Sequence, residues 1–134
     1  MQEQLKLTIT DDVLDQHCQN IRIIMKTKQL FLRSNLSLQD LSNEVGIPVI
    51  EVKQTLLERL NVTFFEFISS YKVNEAKQLL TNIREGQFSM STIAAQSGFT
   101  TIDSFTTIFK KHTNMLPEEY RIKYFTIHPD SSPV

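Results

Sequence analysis

The sequence predicts an all-α fold in which two helix-turn-helix units are joined by a long linker helix. Apolar residues recur at three- and four-residue spacings along the 134-residue chain, and no segment shows the alternation typical of a strand. Glycine and proline are scarce, with 3 and 4 residues respectively, which favours uninterrupted helices. A glycine between two helical patterns occurs twice. Each glycine predicts a turn between paired helices.

Composition limits the classes to which this chain can belong. With 40% apolar residues and nine phenylalanines, the chain can bury a core. Cys18 is the single cysteine, which excludes an internal disulfide framework and a cysteine metal cage and fits a reducing compartment. The apolar runs are too short to cross a bilayer, and no signal peptide is recognisable. We therefore predict a cytoplasmic domain without membrane contact, cofactor or metal site.

The chain divides into four parts by pattern. Residues 1–10 are interpreted as a linker or ragged N-terminus, and residues 126–134 have the composition of a flexible tail. Residues 11–34 predict a leading helix and its connection, with Asp11 and Asp12 as the expected caps. Residues 35–125 contain the repeated pattern, as a first unit at 37–60, a linker helix at 64–80 and a second unit at 89–124.

The first unit begins with SLQD, in which Ser37 and Asp40 have the spacing of a capping box. We expect Gly46 to end the helix in the left-handed conformation, which penalises residues with a side chain. Pro48 suits the first turn of the next helix, because an N–H would be unpaired there. The residues of that second helix expected to face the core are Val52, Leu56 and Leu60.

The predicted linker helix runs from Phe64 to about Leu80, with Thr63 as its expected cap. About 17 helical positions span roughly 25 Å, which is long enough to hold two small units apart. The aromatic residues of its FFEF start have helical spacing. Core packing is therefore their expected role.

The second unit repeats the first, because SMSTIAAQSGF aligns with SLQDLSNEVGI. Ser89 takes the place of Ser37, and Gly98 takes the place of Gly46. The repeat indicates two helix-turn-helix units, in each of which the second helix projects from the surface.

The buried stripe of the second helix also recurs after one extra residue. Phe105 and Phe109 take the positions of Val52 and Leu56. Further along, Pro117 is expected to start a last short helix.

These residues resemble the DNA-binding domain of AraC/XylS-type transcriptional regulators, a pair of homeodomain-like helix-turn-helix units. The resemblance runs from about Leu30 to Tyr124 and rests on SLQDLSNEVGI, YKVNEAKQLL and TIAAQSGFTTIDSFTTIFKKHTNMLPEEYR. It implies a transcriptional effector domain that binds double-stranded promoter DNA sequence-specifically, with a recognition helix of each unit in successive major grooves. It also implies contact with RNA polymerase, as in an activator, and a sensor domain upstream in a longer chain.

The resemblance further implies which residues contact DNA. In the first unit these are Ile50, Lys53 and Gln54; in the second they are Ile102, Asp103, Thr106 and Thr107, with Lys110 close to the DNA backbone. Helical spacing places these residues away from the buried stripe. Glutamine can pair with adenine, lysine with guanine and aspartate with cytosine, while isoleucine and threonine methyls can contact thymine.

The chain departs from the family pattern in side chains and in charge. Thr107 stands where arginine is common, Asn114 where glycine is usual, and Lys72 where arginine is frequent. The first unit has two basic residues against four acidic ones, whereas the second has four against three. We therefore expect the second unit to supply most of the affinity for phosphate, with helix N-terminal amides assisting.

A second interpretation follows from the net charge of −1, because nucleic-acid-binding domains are commonly basic. In it, Ile50 and Ile102 belong to apolar patches of a helical protein-protein interaction module that retains the fold without strong DNA affinity. Salt-dependent binding to duplex DNA would distinguish the two.

An enzyme is not predicted. His17 and Cys18 are adjacent, but neighbouring residues on a helix point about 100° apart, and no third group is evident. We interpret them as a surface histidine and a structural cysteine.

Overall fold

The computed structural model describes residues 9–82 and 88–129, and every regular element within these ranges is helical. The α-helices are α1 (Asp11–Lys28), α2 (Leu38–Val45), α3 (Val49–Thr55), α4 (Phe64–Thr81), α5 (Met90–Gln96), α6 (Ile102–Thr113) and α7 (Pro117–Ile127). A 3₁₀ turn at Leu30–Leu32 follows α1, and a π-helical segment at Leu56–Leu60 continues α3. The chain forms two compact units, Met1–Ile68 and Ser69–Val134. The predicted all-α class is confirmed.

Helix α1 begins differently from the prediction. Its N-cap is Thr10, whose Oγ1 accepts a hydrogen bond from the amide of Val13 at 3.3 Å. Asp11 and Asp12 lie in the first turn instead, where a carboxylate is stabilised by the positive end of the helix dipole. The buried face of α1 consists of Leu14, Ile21 and Met25.

The first helix-turn-helix consists of α2 and α3 and has the predicted local features. Ser37 Oγ accepts from the amide of Asp40 at 3.0 Å, and Asp40 Oδ2 accepts from the amide of Ser37 at 2.9 Å. Gly46 follows α2 with a φ of +74°. Pro48 is the N-cap of α3, one position earlier than predicted, because its ψ of 145° lies outside the helical region. The capping box and the glycine turn are confirmed.

The π-helical segment changes which residues of the second helix face the core. Val52 and Leu56 are buried, with exposed fractions of 0% and 1%. Leu60, also predicted to be a core residue, is half-buried. Wider i to i+5 hydrogen bonding shifts the residues of a π-turn relative to a regular helix. The prediction for Leu60 is therefore wrong, because it assumed a uniform α-helical repeat.

Polar contacts attach α1 to both ends of the second helix. His17 Nε2 lies 2.9 Å from Glu51 Oε1 in the first turn of α3. Arg59 in the π-helical segment donates from Nε to Asp15 at 2.7 Å and from Nη2 to Asp11 at 2.9 Å. His17 is half-buried, so its interpretation as a surface histidine is wrong.

Glu44 forms a separate ionic contact at the end of α2. Its carboxylate accepts from Lys28 at 2.9 Å and from Arg33 at 3.1 Å. The hydrogen bond from Lys28, followed by that from Arg33, lowers the pKa of Glu44. This contact ties α2 to the C-terminal end of α1.

The linker helix α4 starts as predicted and ends one residue later, at Thr81. Thr63 Oγ1 accepts from the amide of Glu66, and Glu66 Oε1 accepts from the amide of Thr63. Phe67 is buried, but Phe65 is 62% exposed. Residues two apart on a helix point to different sides, so the predicted core role is wrong for Phe65.

The second unit has an aromatic core inside α5, α6 and α7. Phe99 and Phe105 have ring centroids 5.1 Å apart, and Phe105 and Phe109 have centroids 5.7 Å apart. Tyr120 of α7 packs edge-on against Phe109 at 5.4 Å. Phe105 and Phe109 are fully buried, as their alignment with Val52 and Leu56 predicted.

The last helix begins at Pro117, as predicted. It ends at Ile127, so the first two residues of the predicted tail are helical. Residues 1–8 and 130–134, within the predicted N-terminal linker and tail, lie outside the described residues.

Candidate nucleic-acid interface

The first predicted contact surface lies on the solvent side of α3. Ile50 is 51% exposed, Lys53 is exposed and Gln54 is half-buried. Val52, on the opposite side of the same helix, is fully buried. The helical period therefore separates a core-facing side from a side that presents an apolar, a cationic and an amide group.

Gln54 contacts Glu58, a residue absent from the predicted contact set. Gln54 Nε2 donates to Glu58 Oε2 at 2.6 Å. Residues four apart on a helix are neighbours on its surface. This spacing is a sequence signal that could have indicated the pair.

An open apolar groove of about 540 Å³ lies beside the same surface. Its walls include Leu38 at the start of α2, Leu57 in the π-helical segment, and Val62 and Phe64 around the start of α4. Ile50, Lys53 and Gln54 also line it. The groove and the predicted first contact surface are therefore continuous.

The second predicted contact surface lies on α6. Thr101 caps this helix, because its Oγ1 accepts from the amide of Ser104 at 3.0 Å. Ile102 is 47% exposed. The other predicted positions are exposed or, for Thr106, half-buried; they are Asp103, Thr106, Thr107 and Lys110. Because Phe105 and Phe109 are buried on the opposite side, the outward side of α6 carries the predicted residues of this unit.

Charge is distributed along α6 in the order that the helix dipole favours. Asp103 lies in the first turn, whereas Lys110, Lys111 and His112 lie in the last. A carboxylate near the N-terminus and cations near the C-terminus both stabilise the helix. Asp103 therefore has a structural role besides its predicted base contact, and the exposed Lys110 and Lys111 supply cationic charge suited to phosphate.

One departure from the family pattern has a structural explanation, and a second lies in a defined environment. Asn114, in place of the usual glycine, follows α6 with a φ of +63°, and asparagine is among the side-chain-bearing residues that best tolerate this conformation. Lys72 Nζ lies 5.7 Å from the ring centroid of Phe99. Burial lowers the pKa of Lys72. This lysine therefore packs against the second unit's core.

Other kinds of site are not seen in the described ranges. Among residues 9–82 and 88–129, no three His, Cys, Asp or Glu side chains are grouped so as to hold a metal ion. Over the same residues, no helix combines the length and apolar character needed to cross a membrane.

Sequence comparison places these two surfaces in a known domain type. Residues 41–123 match a family model described as a helix-turn-helix domain. A protein of Staphylococcus aureus strain COL, named as an uncharacterised HTH-type transcriptional regulator, is 32% identical over 113 residues. The match covers 84% of this chain and 14% of that protein. The chain thus spans a small part of the length of such relatives.

Solved structures share the fold. An AraC-type DNA-binding transcriptional regulator from Chromobacterium violaceum matches with a TM-score of 0.69 and 19% identity, over 82% of this chain and 93% of that one. The C-terminal domain of the two-component response regulator yesN from Fusobacterium nucleatum matches with a TM-score of 0.65 and 23% identity, over 77% and 95%. This chain belongs to the family of helix-turn-helix domains, and it shares the fold of AraC-type DNA-binding domains.

Proposed function

We propose that this domain binds double-stranded DNA sequence-specifically, with α3 and α6 in two successive major-groove segments about one helical turn, or roughly 34 Å, apart. The main support is the repetition of one local architecture. Each unit has a serine N-cap, a left-handed glycine, and a second helix with buried inward residues and exposed outward ones. A single glycine turn between helices is common, whereas two equivalent copies favour paired recognition.

The outward residues have chemistry suited to base edges. Lys53 can donate to guanine and Gln54 can pair bidentately with adenine, while Asp103 can accept from cytosine N4. The side chains that contact thymine methyl groups are those of Ile50, Ile102, Thr106 and Thr107. Lys110 contacts a phosphate and fixes the register of α6.

The two units contribute unequally to affinity in this proposal. The first carries two basic and four acidic residues, whereas the second carries four basic and three acidic ones. Phosphate attraction is therefore stronger at α6. The first unit then contributes mainly base discrimination through Lys53 and Gln54.

The wider role follows from what the domain resembles. It acts in the cytoplasm at a promoter as the effector part of a transcriptional regulator, contacts RNA polymerase and receives its signal from an upstream sensor domain. One support is length, since the chain spans 14% of its Staphylococcus aureus relative. A second is the yesN structure, whose corresponding domain is the C-terminal part of a two-component response regulator.

Selection from a random duplex pool at low salt tests the proposal directly. We expect enrichment of two sequence blocks about one turn apart, and a log-log dependence of affinity on salt with a slope of about −0.9 per phosphate contacted. Failure of any sequence to enrich, together with binding that does not change with salt, would contradict DNA recognition.

Three lysine variants test the unequal contributions. Lys110→Ala should weaken binding to all duplexes and reduce the salt slope by about 1, whereas Lys53→Ala should mainly relax preference at one base pair. Lys26→Ala removes the same charge from the exposed end of α1 and serves as the control. Unchanged binding by Lys110→Ala with loss of binding by Lys53→Ala would reverse the assignment.

An alternative function is supported by the apolar character of the first surface. Ile50 and Leu57 are 51% and 62% exposed and line the groove, and large exposed apolar surfaces commonly bind protein partners. In this alternative the domain docks a protein and has lost strong DNA affinity. Ile50→Ser would then abolish partner binding, while duplex binding would be weak and insensitive to salt in the unmodified chain.

A further inference from the structure

We infer that Glu58 is a positioning residue for base recognition, because it sets the orientation in which the Gln54 carboxamide meets DNA. The inference rests on the proposed role of Gln54 as a base-contacting residue. The observation that supports it is the 2.6 Å hydrogen bond from Gln54 Nε2 to Glu58 Oε2. Glu58 lies in the π-helical segment directly after α3, and its side chain lines the same groove as Gln54.

The chemistry of the pair determines which end of the amide faces Glu58. An ionised carboxylate only accepts hydrogen bonds, whereas a carboxamide has a donating NH₂ end and an accepting carbonyl end. Turning the amide by 180° would place its carbonyl oxygen against a carboxylate oxygen. Glu58 therefore opposes that rotation and holds Nε2 on its own side.

Orientation matters because an adenine edge presents an acceptor and a donor in a fixed order. A bidentate contact uses one amide N–H toward N7 and the carbonyl oxygen toward N6. A carboxamide has two N–H groups, so one side chain has the capacity to serve both Glu58 and a base. The reversed orientation would present donor and acceptor in the opposite order. Glu58 thus favours contact with an adenine edge presented in one orientation over the opposite one.

Glu58 also opposes DNA binding through its charge. The carboxylate is exposed on the same side of the unit as Lys53, and its repulsion of phosphate extends over the Debye length of about 10 Å. A residue that lowers affinity for every duplex and raises preference for one is a specificity determinant. These two effects can be measured separately.

The variant Glu58→Gln separates the effect of the Glu58 charge on affinity from its effect on the orientation of Gln54. The variant removes the charge and keeps the shape, and its amide can face either end of Gln54. We expect tighter binding to all duplexes, together with an approximately threefold to tenfold loss of discrimination at the base pair that Gln54 reads. That base pair is identified beforehand as the position where Gln54→Ala loses its preference. Thermal unfolding of each variant confirms that the fold is retained.

A double-mutant cycle supplies the control. In the Gln54→Ala background, Glu58→Gln should still tighten overall binding but should leave discrimination unchanged. If Glu58→Gln changes the affinity for every duplex by the same factor, so that discrimination is undiminished, the inference is overturned. Gln54 would then remain a base-contacting residue. If Gln54→Ala alters preference nowhere, both the proposed role of Gln54 and the role of Glu58 are overturned.

Discussion

His17 Nε2 lies 2.9 Å from Glu51 Oε1, which joins the leading helix α1 to the first turn of α3. The two side chains are 17% and 27% exposed, so solvent only partly competes for the contact. Glu51 directly follows Ile50, a predicted base-contacting residue. The leading helix therefore helps to place the N-terminal end of the proposed recognition helix.

Removing this contact should reduce stability. We expect His17→Ala to lower the free energy of unfolding by about 0.5–1.5 kcal/mol, the net value of a typical hydrogen bond. Urea denaturation of His17→Ala, Glu51→Ala and the double variant measures the coupling between the two residues. Gln19→Ala, at an exposed position on the same helix as His17, is the control. Additive losses in the double variant would show that the pair is not coupled.

The capping box of α2 should make stability depend on pH. Hydrogen bonds from the Ser37 backbone amide, and next from the Ser37 side chain, lower the pKa of Asp40 below its ordinary value of 3.8. A lowered folded-state pKa contributes stability that is present above pH 3.8 and is lost as the pH falls through the folded value. The stability difference between the unmodified chain and Asp40→Asn should therefore shrink below pH 3.8.

Chemical denaturation at a series of pH values checks this expectation. Ser37→Ala removes the hydroxyl partner, so the pH dependence of the Asp40→Asn difference should be smaller in its background. A difference that is constant across the series would mean that the Asp40 carboxylate gains nothing from its contacts in the folded state.

Gly46 offers a test of backbone conformation without steric clash. Its φ is +74°, and a Cβ placed there would have nothing within 4 Å. Gly46→Ala should therefore cost about 1–2 kcal/mol of unfolding free energy through the left-handed conformation alone. Gly46→Asn should cost less, because asparagine tolerates that conformation better. Equal losses for both variants in thermal unfolding would point to another cause.

Two phenylalanines allow the aromatic core to be compared with an exposed surface position. Phe105 is fully buried between Phe99 and Phe109, whereas Phe65 is 62% exposed. Phe105→Ala should destabilise the second unit by about 3–5 kcal/mol, the usual cost of deleting a buried aromatic ring. Phe65→Ala should change stability by no more than about 0.5 kcal/mol. Hydrogen exchange of α5, α6 and α7 locates the loss, and similar effects of both variants would contradict the assignment of Phe105 to the core.

Most local features that depend on residues close in sequence were predictable, although the Thr10 cap of α1 was missed. The Ser37 and Asp40 capping box, the left-handed Gly46 and the Thr63 cap each involve residues no more than four apart. Because of the internal repeat, a cap and a glycine turn were also expected at Ser89 and Gly98, and both are present. Helical period also correctly placed Val52 and Leu56 of the first unit, and Phe105 and Phe109 of the second, in the core.

Two further predictions were wrong because they depended on backbone geometry or on distant contacts that a uniform helical repeat does not describe. Leu60 was assigned to the core on a uniform helical repeat, but the π-helical segment places it in a half-buried position. His17 was interpreted as a surface residue because its partner, Glu51, is 34 positions away in sequence. No periodic pattern relates residues at that separation.

The sequence by itself thus determined the helices, the caps at Ser37 and Thr63, the two glycine turns and the residues on the outward sides of α3 and α6. Hydrogen bonds and steric limits within a few residues are sufficient for these. The tertiary structure alone decided that Arg59 meets Asp11 and Asp15 across 48 and 44 positions, and that α1 contacts both ends of the second helix. Such pairs form only after apolar burial has brought α1 and α3 together, because exposed charges in an open chain attract one another too weakly to select a partner.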